Sequence, residues 1–366
     1  MSPTATGPHV DETGARVVAE VGLLEYEDAQ VSAIHGLRDI FRVASEYAVQ
    51  AGDPPSVIRV STWSVSATDD GPVVVCTSDT HPGLDHQLSH VIIPPSLVVP
   101  ELMKTVSALT DWLVGLRSDG TTLCAVCAGV FVLAETHLLD SRDATTHWAF
   151  AEELARRHPA VRVDASRMVV DDLDIVTAAG ILAWVDLGLT LVDRMLGPSV
   201  MLHTARFVLA DPPRRQQSLY QEFTPRLQHG DAAIREVQTR LHAALHEQLS
   251  VNELARGAAM HPRTLQRRFK QATGLTATEY LQAARIAKAR ESLELTTDSV
   301  ATISRSVGYL DVSNFRRLFQ RATGVTPSEY RNRFSIAARA GEQAPPAAAQ
   351  QGRPGQSART RSTPSR

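Results

Sequence analysis

The sequence predicts two domains, an N-terminal three-layer α/β sandwich with a mostly parallel sheet and a C-terminal all-α domain. The length of 366 residues suits about two domains at roughly 100–200 residues each. Strands alternate with helices over residues 16–210, and the central strands are nearly all apolar, as in sheets covered on both faces. Residues 231–335 contain helical patterns and no strand signal. With 43% apolar residues, the chain can form packed cores, so a wholly disordered chain is excluded.

The first domain begins after a predicted disordered lead, residues 1–15, and alternates short β-branched runs with amphipathic helices. The predicted strands are residues 17–21, 57–65, 73–76, 90–94, 121–126 and a pair around 168–177. The predicted helices are residues 30–50, 101–116, 128–139, 147–157 and 181–196.

Composition marks the two ends of the second domain. Residues 211–230 contain three prolines and no apolar periodicity, which predicts an interdomain linker. Residues 336–366 consist largely of Ala, Pro, Gln, Gly, Arg and Ser, which predicts a disordered basic tail. The function of the second domain therefore has to be inferred from residues 231–335.

The net charge of −3 conceals a segregation of charge along the chain. Residues 231–335 carry 16 Lys and Arg against 10 Asp and Glu, a net charge of +6, and residues 336–366 carry +4. Residues 1–230 therefore carry −13. An acidic front and a basic back are expected when only one domain meets nucleic acid, although solvated faces also carry charge.

An internal repeat defines the second domain. FKQATGLTATEY (Phe269–Tyr280) returns fifty residues later as FQRATGVTPSEY (Phe319–Tyr330), with seven identities over twelve positions. Each copy predicts a short helix, a tight turn and a second helix, which is a helix-turn-helix, at residues 250–272 and 299–322. In the first copy Ser250 and Glu253 have the spacing of a capping box, and Pro262 stands at a first helical turn.

The predicted outward faces of the two second helices carry hydrogen-bonding and basic side chains. Arg pairs with guanine and Gln or Asn with adenine in the DNA major groove, which admits one helix. One such face could equally be a solvated helix surface, but two joined by a long helix favour DNA, since one monomer then reaches two successive groove turns. The candidate DNA-binding residues are Arg263, Gln266, Arg267, Lys270, Ser313, Asn314, Arg316 and Arg317, with Gln320 and Arg321 beside them.

LARGAAMHPRTLQRRFKQATG, ARIAKARESL and ISRSVGYLDVSNFRRLFQRATGVTPSEYR resemble the DNA-binding domain of the AraC/XylS family of bacterial transcription regulators. The resemblance covers residues 251–334. The sequence departs from the family pattern at two positions, with His261 in place of the usual Ser cap and Ala277 in place of the usual Pro. The resemblance implies base-reading roles for Arg263, Gln266, Arg267, Ser313, Asn314 and Arg317.

LCAVCAGVFVLAETHLLDSRDATTHW (Leu123–Trp148) resembles the nucleophile-elbow region of the PfpI and class I glutamine amidotransferase-like superfamily, which has a flavodoxin-like fold. It is more similar still to the N-terminal half of AraC regulators of the GlxA type. The resemblance places Cys127 at the elbow and His147 at the position of the partner histidine. A helix N-terminus lowers the pKa of a nearby thiol, so we expect Cys127 to favour the thiolate.

Three interpretations of Cys127 remain open. A nucleophile needs a base and an orienting acid, but Ala33 stands where the superfamily has its acid, with Glu25, Glu27 and Asp39 only nearby in sequence. A redox pair with Cys124 has the CxxC spacing, although Cys124 lies in an apolar strand. The third interpretation is a vestigial elbow that lines a small-molecule pocket with His147, which could also be a structural histidine beside Trp148.

The sequence as a whole predicts a ligand-responsive, non-enzymatic transcription regulator that binds promoter or operator DNA. We expect a homodimer, an effector of unidentified chemistry, RNA polymerase as a possible partner and no membrane. The alternative is a PfpI-superfamily cysteine hydrolase or hydratase fused to a DNA-binding domain. No metal or cofactor set is evident, since the histidines are scattered and Gly129 and Gly180 are isolated glycines. Three cysteines and the lack of a secretory signal predict a cytoplasmic, nucleoid-associated protein.

Overall fold

The computed structural model describes residue 10 and residues 14–51, 54–104, 107–213 and 216–336. The predicted tail except residue 336, and the predicted lead except residues 10, 14 and 15, lie outside the described residues. The chain divides into two compact units, the first running through Glu222 and the second beginning at Phe223. In the described part of the chain, no helix is long and apolar enough to cross a membrane.

A seven-stranded sheet forms the centre of the first unit, with the strand order β3-β2-β1-β4-β5-β9-β8. Neighbouring strands from β2 to β9 run parallel, and the edge strands β3 and β8 pair antiparallel. The predicted mostly parallel sheet is confirmed. Its strands are β1 (Arg16–Glu25), β2 (Ser56–Thr68), β3 (Gly71–Asp79), β4 (Leu88–Ile93), β5 (Thr122–Val126), β8 (Val169–Asp172) and β9 (Ile175–Ala178), while β6 (Asp143–Ala144) and β7 (Arg162–Val163) pair separately.

Helices cover both faces of this sheet and complete the three layers. One core joins the sheet to α1 (Val31–Ala51), α5 (Trp184–Leu196) and α6 (Pro198–Phe207). The other joins it to α2 (Ser107–Ser118), α3 (Gly129–Ala134) and α4 (Ala151–Arg157). The strand period of two decides which side chain enters which core. In β5, Cys124 and Val126 enter the first core, whereas Leu123 and Ala125 enter the second.

Several helices of the first unit differ from the prediction, and α4 begins at Ala151 rather than at residue 147. Helix α2 begins at Ser107 rather than Glu101, and Leu102, predicted to be in its apolar stripe, is 68% exposed. Helix α3 ends at Ala134 rather than residue 139, because the chain turns there and His137 takes a φ of 60°. Helix α6 was not predicted, and Gly197 and Pro198 separate it from α5.

The second unit is wholly helical among its described residues. The predicted capping box is present, with the Ser250 hydroxyl accepting from the Glu253 amide and the Glu253 side chain accepting from the Ser250 amide. Pro262 stands in the first turn of α9, and Gly274 ends that helix in the left-handed conformation. The helices are α7 (Ala232–Ala243), α8 (Val251–Gly257), α9 (Pro262–Thr273), α10 (Ala277–Leu295), α11 (Val300–Ser306), α12 (Val312–Thr323) and α13 (Pro327–Phe334).

The segment predicted as a linker is partly packed. Gln217 is 2% exposed, and its side-chain amide donates to the Thr145 hydroxyl over 3.0 Å and to the carbonyl oxygen of Thr146 over 3.0 Å. Farther along, Phe223 packs edge-to-face on Tyr280, with ring centroids 5.0 Å apart, inside the second unit. Apolar periodicity is absent here because the segment is held by a few single side chains rather than by a helix face.

Candidate nucleic-acid interface and elbow cysteine

The two second helices of the repeat, α9 and α12, bury and expose the same positions. Residues 261–270 and 311–320 have an identical succession of buried, half-buried and exposed side chains. In α9 the buried positions are Leu265 and Phe269, and in α12 they are Phe315 and Phe319. The sequence repeat is therefore a structural repeat, and the two helices present equivalent faces to solvent.

The exposed face of α9 borders a groove of about 760 Å³. Arg263, Gln266, Arg267 and Lys270, all predicted to face outward, are exposed and line it. Among the described residues, no hydrogen bond or ion pair holds the side chains of Arg263, Gln266 or Arg267. The neighbouring Arg268 turns the other way. The groove is also lined by His261, Thr264, Gln271 and Thr276.

The exposed face of α12 carries the remaining candidates. Ser313, Arg316 and Arg317 are exposed and Asn314 is half-buried. The Asn314 side-chain oxygen accepts a hydrogen bond of 3.1 Å from Arg317 Nη2, so these two side chains are positioned together. Asp311 caps this helix, since its Oδ1 accepts from the Ser313 amide over 2.8 Å.

Two features of this face escaped sequence reasoning. The side chain of His261 caps α9, because its Nδ1 accepts from the amide of Arg263 over 3.4 Å. A histidine can thus replace the usual hydroxyl cap while its ring nitrogen is unprotonated. Gln271 lines the groove one helical turn beyond Arg267, and that i, i+4 spacing was available in the sequence.

The elbow of the first unit has the strained geometry that the resemblance implies. Cys127, between β5 and α3, takes a φ of 56°, which side chains other than glycine rarely adopt. Its amide donates to the Ala178 carbonyl over 2.8 Å, and its carbonyl accepts from the Thr146 hydroxyl over 2.7 Å. The position two residues later requires a glycine, Gly129, because a Cβ there would stand 2.4 Å from the carbonyl oxygen of Pro94.

The expectation that Cys127 favours the thiolate is wrong. Its side chain is 3% exposed, and burial raises the pKa of the thiol to about 11, despite backbone hydrogen bonds from the Ala128 and Gly180 region that lower it. Desolvation of a thiolate outweighs the N-terminus of a six-residue helix. Burial likewise raises the pKa of Cys124 to about 12, so neither sulfur of the CxxC pair is ionised at neutral pH.

His147 is placed by the backbone rather than by Cys127. Its Nδ1 accepts from the amide of Ala149 over 3.1 Å, and its ring lies 5.2 Å from that of Trp148, centroid to centroid. Burial lowers the pKa of His147, which keeps the ring neutral. No hydrogen bond joins His147 to Cys127 among the described residues. Ala33 is fully buried and supplies only a methyl group, while Glu25, Glu27 and Asp39 are exposed.

A cavity of about 660 Å³ in the first unit lies between α1 and the strands β2 and β3. Its lining includes Arg38 and Arg42 beside the apolar side chains of Val49, Val57 and Ile58, and includes neither Cys127 nor His147. Over the residues that the structure describes, no three His, Cys, Asp or Glu side chains are grouped so that they could hold a metal ion.

Known proteins resemble both units of the chain. Residues 254–333 match a family model described as a helix-turn-helix domain, and residues 49–194 match the DJ-1/PfpI family. The HTH-type transcriptional regulator CdhR of Pseudomonas aeruginosa is 28% identical over 274 residues, covering 74% of this chain and 81% of its own. The HTH-type transcriptional regulator ArgR of the same species is 29% identical over 238 residues, covering 64% and 72%. The regulator GlxA of Rhizobium meliloti is 28% identical over 218 residues, covering 58% and 66%.

The repeated helix-turn-helix, its basic outward faces and these matches define a DNA-binding transcription regulator with two domains. The C-terminal domain is a helix-turn-helix domain of the AraC type, and the N-terminal domain is a DJ-1/PfpI domain with a flavodoxin-like sheet.

Proposed function

We propose that this regulator recognises a specific operator by placing α9 and α12 in successive major grooves, and that its DJ-1/PfpI domain senses a small molecule without catalysing a reaction. The observation that carries the first half is the identical burial of the two helices, which leaves two equivalent polar faces on one domain. At the offset of fifty residues Arg267 recurs as Arg317, and both faces consist of polar side chains able to hydrogen-bond to DNA.

The side chains divide by the part of DNA that each would contact. Arg263, Gln266 and Arg267 read base edges from α9, and Ser313, Asn314 and Arg317 read them from α12, since these types form directed hydrogen bonds to bases. Lys270 and Arg316 contact phosphates, where charge matters more than direction. The hydrogen bond between Asn314 and Arg317 orients both groups before DNA arrives.

Operator recognition is tested with the full-length protein and a randomised duplex library. Repeated selection and sequencing should recover two short conserved segments separated by about one helical turn, 10–10.5 bp. Titration of the selected duplex against a scrambled duplex of equal length, at two salt concentrations, gives the specificity. Recovery of one conserved segment, or equal affinity for both duplexes, would contradict reading by both helices.

We infer no catalysis from the elbow because each catalytic requirement lacks support there. The thiol is buried with a raised pKa, His147 uses Nδ1 to accept a backbone hydrogen bond, and Ala33 stands in place of the orienting acid. Cys127 and His147 are then candidates for lining an effector pocket at the carboxyl ends of the strands, where open α/β sheets bind ligands. The cavity beside Arg38 and Arg42 is a second candidate.

The two effector locations are separated by filling each one. Cys127→Trp fills the elbow and Val49→Trp fills the cavity beside α1. A compound that raises the melting temperature of the wild-type protein in a metabolite screen should fail to do so with one variant only. The variant that keeps its response serves as the control for the other. Loss of the response in neither variant would contradict both locations.

The regulator is proposed to work as a homodimer in the cytoplasm, bound to the nucleoid, with RNA polymerase as a possible partner. Two copies double the number of groove contacts and raise affinity without any new kind of contact. Exposed apolar side chains at the end of α6 support self-association, since Phe207 is 68% and Leu209 is 94% exposed.

A further inference from the structure

One buried arginine lies between the two helix-turn-helix units. Arg285, in the middle of α10, is 7% exposed. Its Nε donates to the carbonyl oxygen of Leu245 over 2.8 Å, and its Nη2 donates to that of Glu247 over 2.6 Å. Both carbonyls belong to the loop between α7 and α8, which leads directly into the first helix-turn-helix (residues 250–272).

Arg285 also contacts the second helix-turn-helix (residues 299–322). Its guanidinium carbon lies 5.3 Å from the ring centroid of Tyr309, in the turn between α11 and α12. Tyr309 is 7% exposed and packs on Phe315, the buried residue of α12, with ring centroids 5.5 Å apart. A continuous set of contacts therefore runs from the loop before α8, through Arg285 and Tyr309, into the core of the second reading helix.

A second hydrogen bond joins the same two segments, which approach each other closely at Gly308. The Gln248 side-chain amide, in the loop before α8, donates to the carbonyl oxygen of Gly308, in the turn of the second helix-turn-helix, over 2.6 Å. A Cβ on Gly308 would stand 2.6 Å from the carbonyl oxygen of Leu245 and 2.7 Å from Arg285 Nη2. The turn residue must be glycine because the two units approach this closely, in addition to its φ of 86°.

We propose that Arg285 is a positioning residue that fixes α9 and α12 in one register, so that the allowed spacing between the two DNA segments is set inside the protein. The inference rests on the proposed reading of one operator by both helices. Burying a guanidinium carries a desolvation cost, and burial lowers the pKa of Arg285. The planar guanidinium offsets that cost because it donates to two carbonyl oxygens and also stacks on an aromatic ring. The ammonium of lysine has no planar face and cannot make both kinds of contact at once.

The experiment varies the spacing of the selected operator in full-length protein. Inserting one base pair between the two conserved segments moves the second by roughly 3.4 Å and turns it by about 35°. A rigid joint cannot follow this change, so the wild-type protein should lose about 30-fold in affinity, the worth of one helix's base contacts. Gln248→Ala and Arg285→Lys should lose less than about 5-fold on the same insertion, because the loosened units can reorient at small cost.

Gln248 is exposed, so its substitution leaves the packed interior of the helical domain intact. The test therefore stays valid if an Arg285 variant fails to fold. His246→Ala, on the same exposed loop, is the matched control and should keep the wild-type penalty. A duplex with the second segment scrambled should bind all four proteins alike, because one unit alone needs no register. An equal spacing penalty in wild type, Gln248→Ala and Arg285→Lys would overturn the inference. A wild-type protein indifferent to spacing would instead overturn the two-helix reading itself.

Discussion

Arg268 and Asp231 form a two-fold hydrogen-bonded ion pair, with Nε 3.0 Å from Oδ2 and Nη2 2.7 Å from Oδ1. The same carboxylate caps α7 by accepting from the amide of Ile234 over 3.2 Å. One side chain thus begins α7 and holds α9 against it. Because Arg267, the preceding residue, lines the groove, this pair also sets how α9 is turned about its axis.

Separating the two roles of Asp231 predicts a graded loss of stability. Asp231→Asn keeps a good helix cap and loses the ion pair, whereas Asp231→Ala loses both, which should cost about 1 kcal/mol more. The hydrogen bond from Arg268 holds the pKa of Asp231 below its ordinary value. Its stabilising effect is therefore present above the unfolded pKa of about 4 and is lost as the pH falls through the lowered value. Calorimetric melting of the helical unit at pH 7 and pH 3 measures both effects, and equal melting of the two variants at pH 7 would contradict the capping role.

Base-reading and phosphate-contacting residues should behave differently on substitution. Arg267→Ala and Arg317→Ala should each weaken specific binding by about 1–3 kcal/mol and relax base preference in one segment. Lys270→Ala or Arg321→Ala should weaken binding to all sequences and lower the salt slope by about 1. Band-shift titrations on selected and scrambled duplexes distinguish the two. Equal losses on both duplexes for Arg267→Ala would refute its base-reading role.

The buried elbow thiol should react slowly. Cys76 is half-exposed, whereas Cys124 and Cys127 are buried, so iodoacetamide at pH 7.5 should label Cys76 first. Labelling of Cys127 should rise only as the pH approaches about 11, the value to which burial raises its pKa. Peptide mass spectrometry over a pH series gives the rates, with Cys76→Ser removing the competing site. Rapid labelling of Cys127 at neutral pH would mean that the thiolate is stabilised after all.

Cys127→Ser should leave folding and intrinsic DNA affinity nearly unchanged, since the two side chains fill similar volumes. Wild-type protein should show no turnover of amide, peptide, isonitrile or dicarbonyl substrates above the Cys127→Ser blank. Turnover approaching an ordinary ~1 s⁻¹ would establish the enzyme alternative.

Two glycines of the first domain should respond oppositely to alanine. Gly129→Ala places a Cβ 2.4 Å from the carbonyl oxygen of Pro94, a backbone atom that cannot move aside cheaply, so the domain should lose several kcal/mol or fail to fold. Gly115→Ala, inside α2, meets nothing within 4 Å and should stabilise by about 0.4–1 kcal/mol through the unfolded chain. Urea unfolding of both variants is the measurement. A mild effect of Gly129→Ala would show that α3 can shift away from β4.

Self-association should depend on the apolar end of α6. We expect the wild-type protein to be dimeric by light scattering at tens of micromolar, and Phe207→Ser with Leu209→Ser to shift it toward monomer. Leu173→Ser is the control, because Leu173 is also exposed, at 83%, but lies in the turn between β8 and β9. A monomeric wild-type protein, with or without DNA, would refute the dimer.

Sequence patterns were sufficient to predict the class of each domain and the outward face of α9 and α12. Repetition and helical periodicity carried that information, because a helix with a period of 3.6 residues must bury Leu265 and Phe269 together and expose Arg263 and Arg267. The alternation of strands with helices along the chain likewise predicted a mostly parallel sheet. The proline and glycine signals predicted where α9 begins and ends.

Properties that depend on which distant residues lie next to a side chain could not be predicted from the sequence and became visible in the folded protein. The motif around Cys127 predicted a thiolate from a helix N-terminus, but burial of Cys127 in the core shared by the sheet, α1, α5 and α6 raises the thiol pKa instead. Arg285 reads in sequence as one more basic residue of an amphipathic helix. Its proposed role depends on contacts with the carbonyl oxygen of Leu245, forty residues earlier, and with the ring of Tyr309, further along the chain. No local sequence pattern encodes contacts between such distant segments.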